Sequence, residues 1–386
     1  MGAYLSTNRT PSSTNNHEQH KPPKDDAPFE TGRFTFPPEW HPHLATMMGI
    51  PSRASCLESL WSKNCEEIVD LAAAIAEFEP VRLYTRPEDI EYAPDLINRR
   101  VRDTGPVYVH DATGSLGAGR RLAINFKFNE WGNKNGWEGT HGHYRYGNPA
   151  MTKKELQENT DFARKVISAD QSPSPVQRIV PKIRAEGDGL VVDGEGTLIV
   201  AESYMVCQLW NPGKSKDEIE EELQRLLGVE KVIWVPGRKN LDITDCHLDA
   251  EVRFVRPGVV AMTRHSPEAV DSPEWIKCGE EILETLRNET DAKGRQFEIH
   301  FIDEPDPKSL GILPKDEFVS SYLNSYFCNG GPIIPAFGLE LHDGKALEIW
   351  QSLLPDRKVR QVPLRTIPLS GGVIHCVTQQ VPAPQA

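Results

Sequence analysis

The apolar residues of the chain follow two spacings that alternate along most of its length. Runs with apolar positions three or four residues apart predict amphipathic helices, and runs rich in β-branched residues predict strands. Five times, a predicted helix is followed after a short gap by a predicted strand. The pairs are 57–78 with 81–84, 152–168 with 177–184, 215–227 with 232–235, 273–288 with 297–302, and 343–353 with 359–362. This recurrence indicates an internal repeat without sequence identity.

Further β-rich runs lie between these units, at 107–110, 121–128, 189–201, 251–263, 332–337 and 372–379. A closed ring of five β-α modules in a single domain accounts for the whole pattern. An open doubly wound sheet is the competing arrangement. The glycines do not favour that second arrangement, because no Gly-x-Gly-x-x-Gly sequence follows a predicted strand and opens a helix.

Two of the predicted helices begin with a capping box. In this motif a Ser or Thr side chain binds the backbone N–H three residues later, and a Glu at that position binds back. The pairs are Thr152 with Glu155 and Ser215 with Glu218. We therefore expect these two helices to start at or just after Thr152 and Ser215.

The first 35 residues differ in composition from the rest of the chain. Residues 1–35 are rich in Ser, Thr, Asn, Pro and Lys, which is typical of a disordered tail. Since no second linker of this kind follows, we expect one continuous domain over 36–382. Gly2 and Ser6 match the short N-myristoylation pattern. One acyl chain would give only weak membrane attachment, and so short a pattern also occurs by chance.

Composition narrows the function classes. The 386-residue chain has a net charge of -13, which argues against a nucleic-acid partner and suits a cationic substrate. Its seven cysteines are irregularly spaced, with no Cys-x-x-Cys pair, so neither a disulfide framework nor a zinc ribbon is expected. No apolar run is long enough for a membrane span or a signal peptide core. We expect a cytoplasmic protein with reduced thiols, and its oligomeric state, a homo-oligomer included, stays open.

One candidate nucleophile lies near the C-terminus. Cys376 follows two glycines within a β-branched run at 371–380, and glycines allow a close backbone approach. A reactive thiol there is one interpretation. The other is a structural cysteine, because free cysteines are among the most buried residues.

A second candidate pair is His247 and Asp249. In an extended strand, residues two apart point to the same face, so these side chains could serve as acid/base and substrate anchor. A loop with turn-forming Asp residues is the alternative. No further metal ligands are apparent around them, so we expect no metal.

Asp103 precedes a Gly-Pro turn and Glu186 stands at the entrance of a predicted strand. Either carboxylate could be an ordinary turn or surface residue. Taken together, however, one Cys, one His and several carboxylates suit attack on a guanidinium carbon. The thiolate is a strong nucleophile, carboxylates bind the N–H groups of the cation, and a His can protonate departing ammonia.

The chain resembles the agmatine deiminase and Porphyromonas-type peptidylarginine deiminase family. The resemblance runs from about residue 46 to residue 380, and the matching segments keep the family's order. They are 46–51, 102–106, 128–132, 186–187, 193–197, 227–229, 231–234, 244–249, 322–324, 329–331 and 374–380.

The resemblance implies a fold, a reaction and a set of site residues. The fold would be a five-bladed pseudo-symmetric α/β propeller of ββαβ-like modules. The reaction would pass through a covalent thiouronium on the cysteine, loss of ammonia and hydrolysis to a ureido product, without a cofactor. The implied roles are Cys376 as nucleophile, His247 as acid/base, Asp103 and Asp249 as guanidinium-binding carboxylates, Glu186 as the partner of His247, and Asn324 and Trp131 as further site residues.

Three departures from the family's usual sequence suggest a shifted substrate. Arg100 stands where the family usually has Trp. Asp188 stands at the position of the last Gly in the family's usual Glu-Gly-Gly. Cys246 stands where the family usually has Gly before the His. Arg100 would repel the amine end of agmatine and could instead bind a carboxylate of arginine or of a peptide's terminal arginine. The alternative is that Arg100 points to solvent.

Two other functions stay open at the level of sequence. The chain could be a non-catalytic binding protein on the same scaffold, since fold does not determine function. It could also be an amidinotransferase, in which an amine replaces water as the second nucleophile. The leading hypothesis is a deiminase that acts on agmatine, arginine or peptidyl-arginine.

Overall fold

The computed structural model describes residues 34–51, 58–85, 101–114, 120–134, 152–170, 176–268, 272–311 and 318–385. Of the predicted N-terminal tail, residues 1–33 lie outside these residues, as do the predicted myristoylation site at Gly2 and Arg100. The last two residues assigned to the tail, Phe34 and Thr35, instead form a strand that pairs with His110 and Asp111, because Phe34 is buried in the core. None of the described helices combines the length and the hydropathy needed to cross a bilayer.

The strands of the described residues are numbered in chain order. They are β1 (Phe34–Thr35), β2 (His43–Gly49), β3 (Val81–Tyr84), β4 (Val107–Asp111), β5 (Arg121–Ile124), β6 (Gln177–Ile179), β7 (Val191–Val192), β8 (Thr197–Ala201), β9 (Lys231–Val235), β10 (Val252–Arg256), β11 (Val259–Arg264), β12 (Glu298–Asp303), β13 (Tyr326–Cys328), β14 (Gly331–Ala336), β15 (Arg360–Pro363) and β16 (Thr378–Pro382).

Long and short helices alternate with these strands within the described residues. They are α1 (Glu58–Ala76), α2 (Val101–Thr104), α3 (Glu130–Asn133), α4 (Lys153–Ser168), α5 (Glu202–Met205), α6 (Lys216–Leu227), α7 (Ser272–Asn288) and α8 (Glu340–Leu353). The five long helices are those predicted from the apolar spacing, with bounds that differ by at most three residues.

The described strands form five separate sheets of one design. In β7-β8-β9, for example, β8 pairs antiparallel with β7 and parallel with β9, and α6 connects the two parallel strands. The sheets β10-β11-β12, β13-β14-β15 and β16-β2-β3 repeat this order, and β1-β4-β5-β6 adds one strand at its edge. The result is a mixed α/β fold in which each module contributes two antiparallel strands, a helix and a parallel strand.

The two ends of the chain meet in one sheet. Strand β16 pairs antiparallel with β2, Thr378 opposite Met48, and β2 pairs parallel with β3. The C-terminal strand therefore completes the module to which the N-terminal half contributes a helix and two strands.

Helix ends follow the expected capping. Thr152 and Ser215 each accept a hydrogen bond from the N–H of the Glu three residues on, and each Glu side chain accepts one in return, so both predicted capping boxes are confirmed. Helix α6 ends at Gly228, whose φ of +66° is left-handed. A side chain there would also collide with the backbone oxygen of Phe34, which leaves room only for glycine.

The core lies between helices and sheets and continues from one module to the next. The helices contact strands of neighbouring sheets as well as their own: α1 packs against β15, α7 against β9 and α8 against β12. Buried Val and Ile residues of the central strands and apolar faces of the helices fill these interfaces. The backbone turns that precede the strands are thereby held in fixed positions.

Three local predictions are wrong. The run 372–379 is not a continuous strand, because His375–Val377 form a 3-10 turn before β16 begins. His247 and Asp249 do not share an extended strand, since Leu248–Ala250 form another 3-10 turn. Glu186 begins a third such turn, Gly187–Gly189, and does not lead directly into the strand. For His247 and Asp249 the loop, which was the alternative expected from the sequence, is the correct one. In all three segments, hydrogen bonds within the turn determine the backbone.

Candidate active site

Five short segments converge at one place, and each precedes the first antiparallel strand of its module. They are α2 ahead of β4, Gly187–Gly189 ahead of β7, Leu248–Ala250 ahead of β10, the segment 321–324 ahead of β13, and His375–Val377 ahead of β16. Helix α2 contacts the turns at 187–189 and 375–377, and the turns at 187–189 and 248–250 contact each other. Residues up to 273 positions apart in the sequence are brought together in this way.

The thiol of Cys376 is buried among polar groups. Its Sγ lies 3.3 Å from Oδ2 of Asp249 and 3.3 Å from Nδ2 of Asn324, which donates to the sulfur. The same Asn324 amide donates to Asp249 across 2.5 Å, and its Oδ1 accepts the backbone N–H of His375 at 2.9 Å. Asn324 thus holds the thiol and its neighbouring carboxylate in one arrangement, and the position of Cys376 is not that of an apolar core cysteine.

His247 lies between two carboxylates. Its Nδ1 is 3.7 Å from Oδ1 of Asp103, and its Nε2 is 3.5 Å from Oε2 of Glu186. Burial alone would lower the pKa of His247, but Asp103 and Glu186, with Asp188 behind them, raise it to about 10. The imidazole therefore carries a proton on both nitrogens near neutral pH. The ring of Tyr204 packs edge-on against it at 5.2 Å.

Two tryptophans fix the carboxylates beside His247. Trp131 Nε1 donates to Oδ2 of Asp103 across 2.8 Å, and Trp210 Nε1 donates to Glu186 across 2.8 Å. Trp131 reaches this position from a backbone with φ of +51°, which is uncommon for a bulky residue. Burial raises the pKa of Glu186, and its contact with His247 opposes that effect.

No role for His375 was expected from the sequence, although this residue lies directly before Cys376. His375 Nδ1 contacts Oδ1 of Asp188 at 2.8 Å and Oδ2 of Asp249 at 3.1 Å, while Nε2 contacts Oε2 of Glu39 at 2.8 Å. Burial and Arg102 lower the pKa of His375, but Glu39 and Asp188 outweigh them and raise it to about 9.

The charge on His375 also affects Asp249. Although burial raises the pKa of Asp249, its hydrogen bond to His375 and the nearby charge of His247 lower it to about 2. Asp249 is therefore ionised at every ordinary pH. A carboxylate of this kind beside a thiol is suited to bind a cation next to the nucleophile.

Glu39 is a further member of the cluster, and no local sequence signal indicated it. Burial opposes its ionisation, but Arg253, His375 and Arg102 hold the pKa of Glu39 well below its usual range. Arg253 binds one of its oxygens at 2.7 Å and Arg102 approaches the other at 3.3 Å. A cavity of about 40 Å³ adjoins these groups.

All but one of the site residues expected from the sequence are found together. Cys376, His247, Asp103, Asp249, Glu186, Asn324 and Trp131 form one buried cluster, whereas Arg100 lies outside the described residues. Asp188 joins them, and the departure from the family's Glu-Gly-Gly was the signal that could have identified it.

The cluster is suited to a planar cation. Oδ1 of Asp103 and Oδ2 of Asp188 are buried and accept no hydrogen bond from the described residues, so each can accept an N–H of a ligand. Asp188 belongs to two groups of side chains whose ligand atoms lie within 4.8 Å of one another, a spacing that could also hold a metal ion. One group is Asp103, Asp188 and His247, and the other is Asp188, Asp249 and Cys376. The thiol beside an ionised carboxylate suits a guanidinium equally, because this cation offers both an electrophilic carbon and several N–H donors.

Comparison with known proteins places the chain among proteins named as deiminases. A sequence model of the Porphyromonas-type peptidyl-arginine deiminase family matches residues 35–382. The agmatine deiminase of Pseudomonas aeruginosa is 33% identical over 380 residues, covering 91% of this chain and 96% of that protein. The agmatine deiminase of Stutzerimonas stutzeri is 32% identical over 381 residues, with coverage of 91% and 96%. Among solved structures, an agmatine deiminase of Enterococcus faecalis matches with a TM-score of 0.74 at 26% identity, covering 91% of this chain and 96% of that one.

Proposed function

Because the chain belongs to the Porphyromonas-type peptidyl-arginine deiminase family, we propose that it is a hydrolase that converts a guanidinium group to a ureido group and releases ammonia. One observation carries the proposal: the Cys376 thiol lies 3.3 Å from the ionised carboxylate of Asp249, and His247 stands between two further carboxylates. This arrangement supplies a nucleophile, a cation-binding surface and a proton donor within one buried site.

In the first half of the proposed reaction, Asp103 and Asp249 bind the N–H groups of the guanidinium. Its positive charge favours loss of the Cys376 thiol proton to solvent, which leaves the thiolate. The thiolate attacks the guanidinium carbon and forms a C–S bond. His247, protonated near neutral pH, donates a proton to one nitrogen. The C–N bond to that nitrogen breaks, ammonia leaves, and a thiouronium remains on the sulfur.

In the second half, His247 has lost its proton and can act as a base. It takes a proton from water, and the resulting hydroxide adds to the thiouronium carbon. The C–S bond then breaks and Cys376 leaves as the thiolate. The hydroxyl proton passes to solvent, and the carbon keeps the oxygen as a neutral ureido group. Glu186 orients His247 in both halves, and Asn324 stabilises the thiolate through its N–H donor.

The substrate is a compound with a terminal guanidinium group. The names of the similar proteins make agmatine one candidate, and arginine or peptidyl-arginine are the others. Arg100 is proposed to favour the latter two, because its guanidinium would attract a carboxylate and repel the amine of agmatine. Since Cys376 must be a free thiol, the enzyme is suited to the reducing cytoplasm.

The five sheets are proposed to be the blades of a closed α/β propeller within a single domain, residues 36–382. Three observations support the ring. The sheets share one strand order, β16 joins the module of β2, and helices α1, α7 and α8 each pack against the last strand of the preceding module. Such a ring would place the five pre-strand segments around one axis.

Ammonia release tests the function. The substrates are agmatine, free arginine and a short peptide ending in arginine, each with the unsubstituted protein and with Cys376→Ala. We expect release of ammonia and formation of a ureido product with at least one compound, and loss of both in Cys376→Ala. Cys65→Ala, which removes a thiol from helix α1, is the matched control and should retain activity.

The products distinguish the alternatives. A new guanidino compound formed in the presence of an acceptor amine, without free ammonia, would indicate an amidinotransferase. Binding of a guanidine compound without any product would indicate a binding protein. Either result would contradict the proposed hydrolysis.

A further inference from the structure

Asp188 occupies the middle of the site, and no step of the proposed reaction uses it. Its carboxylate lies within 4.8 Å of the ligand atoms of both Asp103 and His247, and also of those of Asp249 and Cys376. It therefore faces the acid/base side and the nucleophile side at the same time. A side chain in this position is next to any guanidinium that Cys376 attacks.

The two oxygens of Asp188 have different surroundings. Oδ1 is 2.8 Å from Nδ1 of His375. Oδ2 is buried and accepts no hydrogen bond from the described residues, and the residue as a whole is 1% exposed. When protonated, Asp188 can donate a hydrogen bond to Asp249. The ionised form leaves the buried Oδ2 without a donor, which is unfavourable, so the ionised Oδ2 is expected to gain its donor from a ligand.

The carboxylate cannot turn away from the site easily. A Cβ on Gly187 would lie 2.6 Å from the backbone oxygen of Arg102, and a Cβ on Gly189 would lie 2.0 Å from the Tyr204 hydroxyl. The turn that carries Asp188 is thus wedged between α2 and Tyr204. Its backbone has little freedom to carry the side chain elsewhere.

We infer that Asp188 is a third carboxylate that binds the guanidinium group of the substrate, through Oδ2. The inference rests on the proposed deiminase function. A monosubstituted guanidinium offers five N–H donors, more than Asp103 and Asp249 accept if each binds two. Asp188 provides an acceptor for a further N–H donor, and it stands at a position where the family usually has glycine.

This role has a pH signature. Burial raises the pKa of Asp188 to about 7, the charges of Asp103 and Asp249 add to the effect, and His375 opposes it. The free site therefore holds a proton on Asp188 part of the time near neutrality. Binding of a cation favours the ionised form, so affinity should fall as the pH is lowered below 7, by up to about tenfold per pH unit.

Asp103 and Glu186 also lie in this site, so the comparison with Asp188→Asn, and not the pH profile of the parent alone, identifies Asp188 as the titrating group. Three other charged groups near Asp188 keep their charge over this interval. His375, with a pKa of about 9, and His247, with a pKa of about 10, remain charged between pH 6 and pH 8. Asp249, with a pKa of about 2, remains ionised. Replacement of Cys376 by Ala removes the thiol as a further titrating group.

The experiment measures the dissociation constant by calorimetry in a Cys376→Ala background, with whichever of agmatine or arginine the active enzyme deiminates faster. The dissociation constants of the Asp188→Asn variant and of the parent, which retains Asp188, are compared at pH 6, 7 and 8. The Asn amide oxygen can still accept from His375, so a role confined to positioning His375 would be retained. We expect about 10- to 100-fold weaker binding at pH 8 and loss of most of the pH dependence.

A matched control is Asp193→Asn, which changes a buried carboxylate that accepts the backbone N–H groups of Glu195 and Thr197. It should bind as tightly as the parent. If Asp188→Asn does not fold, as judged by its melting temperature, Asp188→Gly is the second variant. The same weakening and the same loss of pH dependence are expected there.

Binding by Asp188→Asn within about twofold of the parent at every pH would overturn the inference while the enzyme remains a deiminase. Absence of ammonia release by the unsubstituted enzyme with every guanidine tested would instead overturn the proposed function, and this inference with it. The two failures are therefore distinguished by the activity of the unsubstituted protein.

Discussion

The charge on His247 determines which steps this residue can perform. Three carboxylates overcome the effect of burial and raise its pKa to about 10, so the imidazole is an acid before the reaction begins. It can donate a proton to the departing nitrogen, and only afterwards can it accept one from water. The electrostatics of the free site thus agree with the order of the proposed steps.

The hydrogen bond from Trp131 to Asp103 is a testable contact at the scale of a single residue. Trp131→Phe keeps an aromatic ring but removes the N–H that binds Oδ2 of Asp103 at 2.8 Å. Hydrogen bonds to buried charges contribute about 1.5–3 kcal/mol. We expect kcat/KM for the preferred guanidine to fall by about 10- to 100-fold, measured by ammonia release.

Trp234→Phe is the control for this substitution. Trp234 Nε1 also donates to a carboxylate, Glu220, across 2.6 Å, but Trp234 belongs to β9 and not to the cluster around Cys376. Its replacement should leave kcat/KM unchanged. An equal loss in both variants would mean that the effect of Trp131→Phe is one of general packing.

Site residues that belong to sequence motifs were identified from the sequence, and site residues outside motifs were not. Cys376, His247 and Asp103 stand in recognisable segments, and the structure brings them together. Glu39 stands in no motif, and its role comes from Arg102 and Arg253, which approach from other modules. Such a residue can be identified only when the folded chain places its partners around it.

The decisive elements at the next scale are the short turns ahead of the strands. The apolar spacing predicted the long helices correctly, because each buries one face against a sheet over several turns. The turns at 187–189, 248–250 and 375–377 are three residues long. Over so short a span, residue spacing and composition do not distinguish a 3-10 turn from a strand, although these turns carry or border most of the site.

The turn at Gly187–Gly189 provides the prediction at this scale. A Cβ at Gly189 would lie 2.0 Å from the hydroxyl of Tyr204, and Tyr204 is fully buried against His247. Gly189→Ala should therefore displace Tyr204 and lower the free energy of unfolding by about 1–3 kcal/mol. We also expect lower kcat, and denaturant unfolding together with ammonia release would measure both effects.

Gly344→Ala separates this steric effect from a general response to losing glycine. Gly344 lies within helix α8, and a Cβ there would meet no atom within 4 Å. Alanine is favoured over glycine in helices by up to about 1 kcal/mol, so this variant should be as stable as the parent or more stable. A Gly189→Ala protein with unchanged stability would contradict the tight packing of the turn against Tyr204.

At the scale of the whole molecule, the repeat was predictable from local spacing, but the pairing of particular strands from the two ends of the chain was not. Five helix-to-strand units follow from local spacing alone. The pairing of β16 with β2 joins residues more than 300 positions apart, and no local pattern specifies such a contact. The site depends on this pairing because the turn that carries Cys376 leads into β16.

Buried histidines give the molecule a dependence of stability on pH. His265 lies 2.8 Å from Glu251 and 3.2 Å from Glu304, away from the catalytic cluster. Burial alone would lower the pKa of His265, but these two carboxylates raise it to about 11. His247 and His375, with pKa values of about 10 and 9, behave in the same way.

A histidine whose pKa is higher in the folded state than its unfolded value of about 6.5 stabilises the fold fully below pH 6.5. That contribution is lost as the pH rises toward the folded pKa, by up to about 1.4 kcal/mol per pH unit for each histidine. We therefore expect the free energy of unfolding to decrease between pH 7 and pH 9, measured by denaturant unfolding. In His265→Gln, the free energy of unfolding should decrease less steeply with pH, by about the contribution of one histidine. The control is His300→Gln, at a half-exposed surface position, and it should show the same slope as the parent. An identical slope in His265→Gln would mean that His265 is not held in its charged form, and the ion pairs with Glu251 and Glu304 would then be neutral hydrogen bonds.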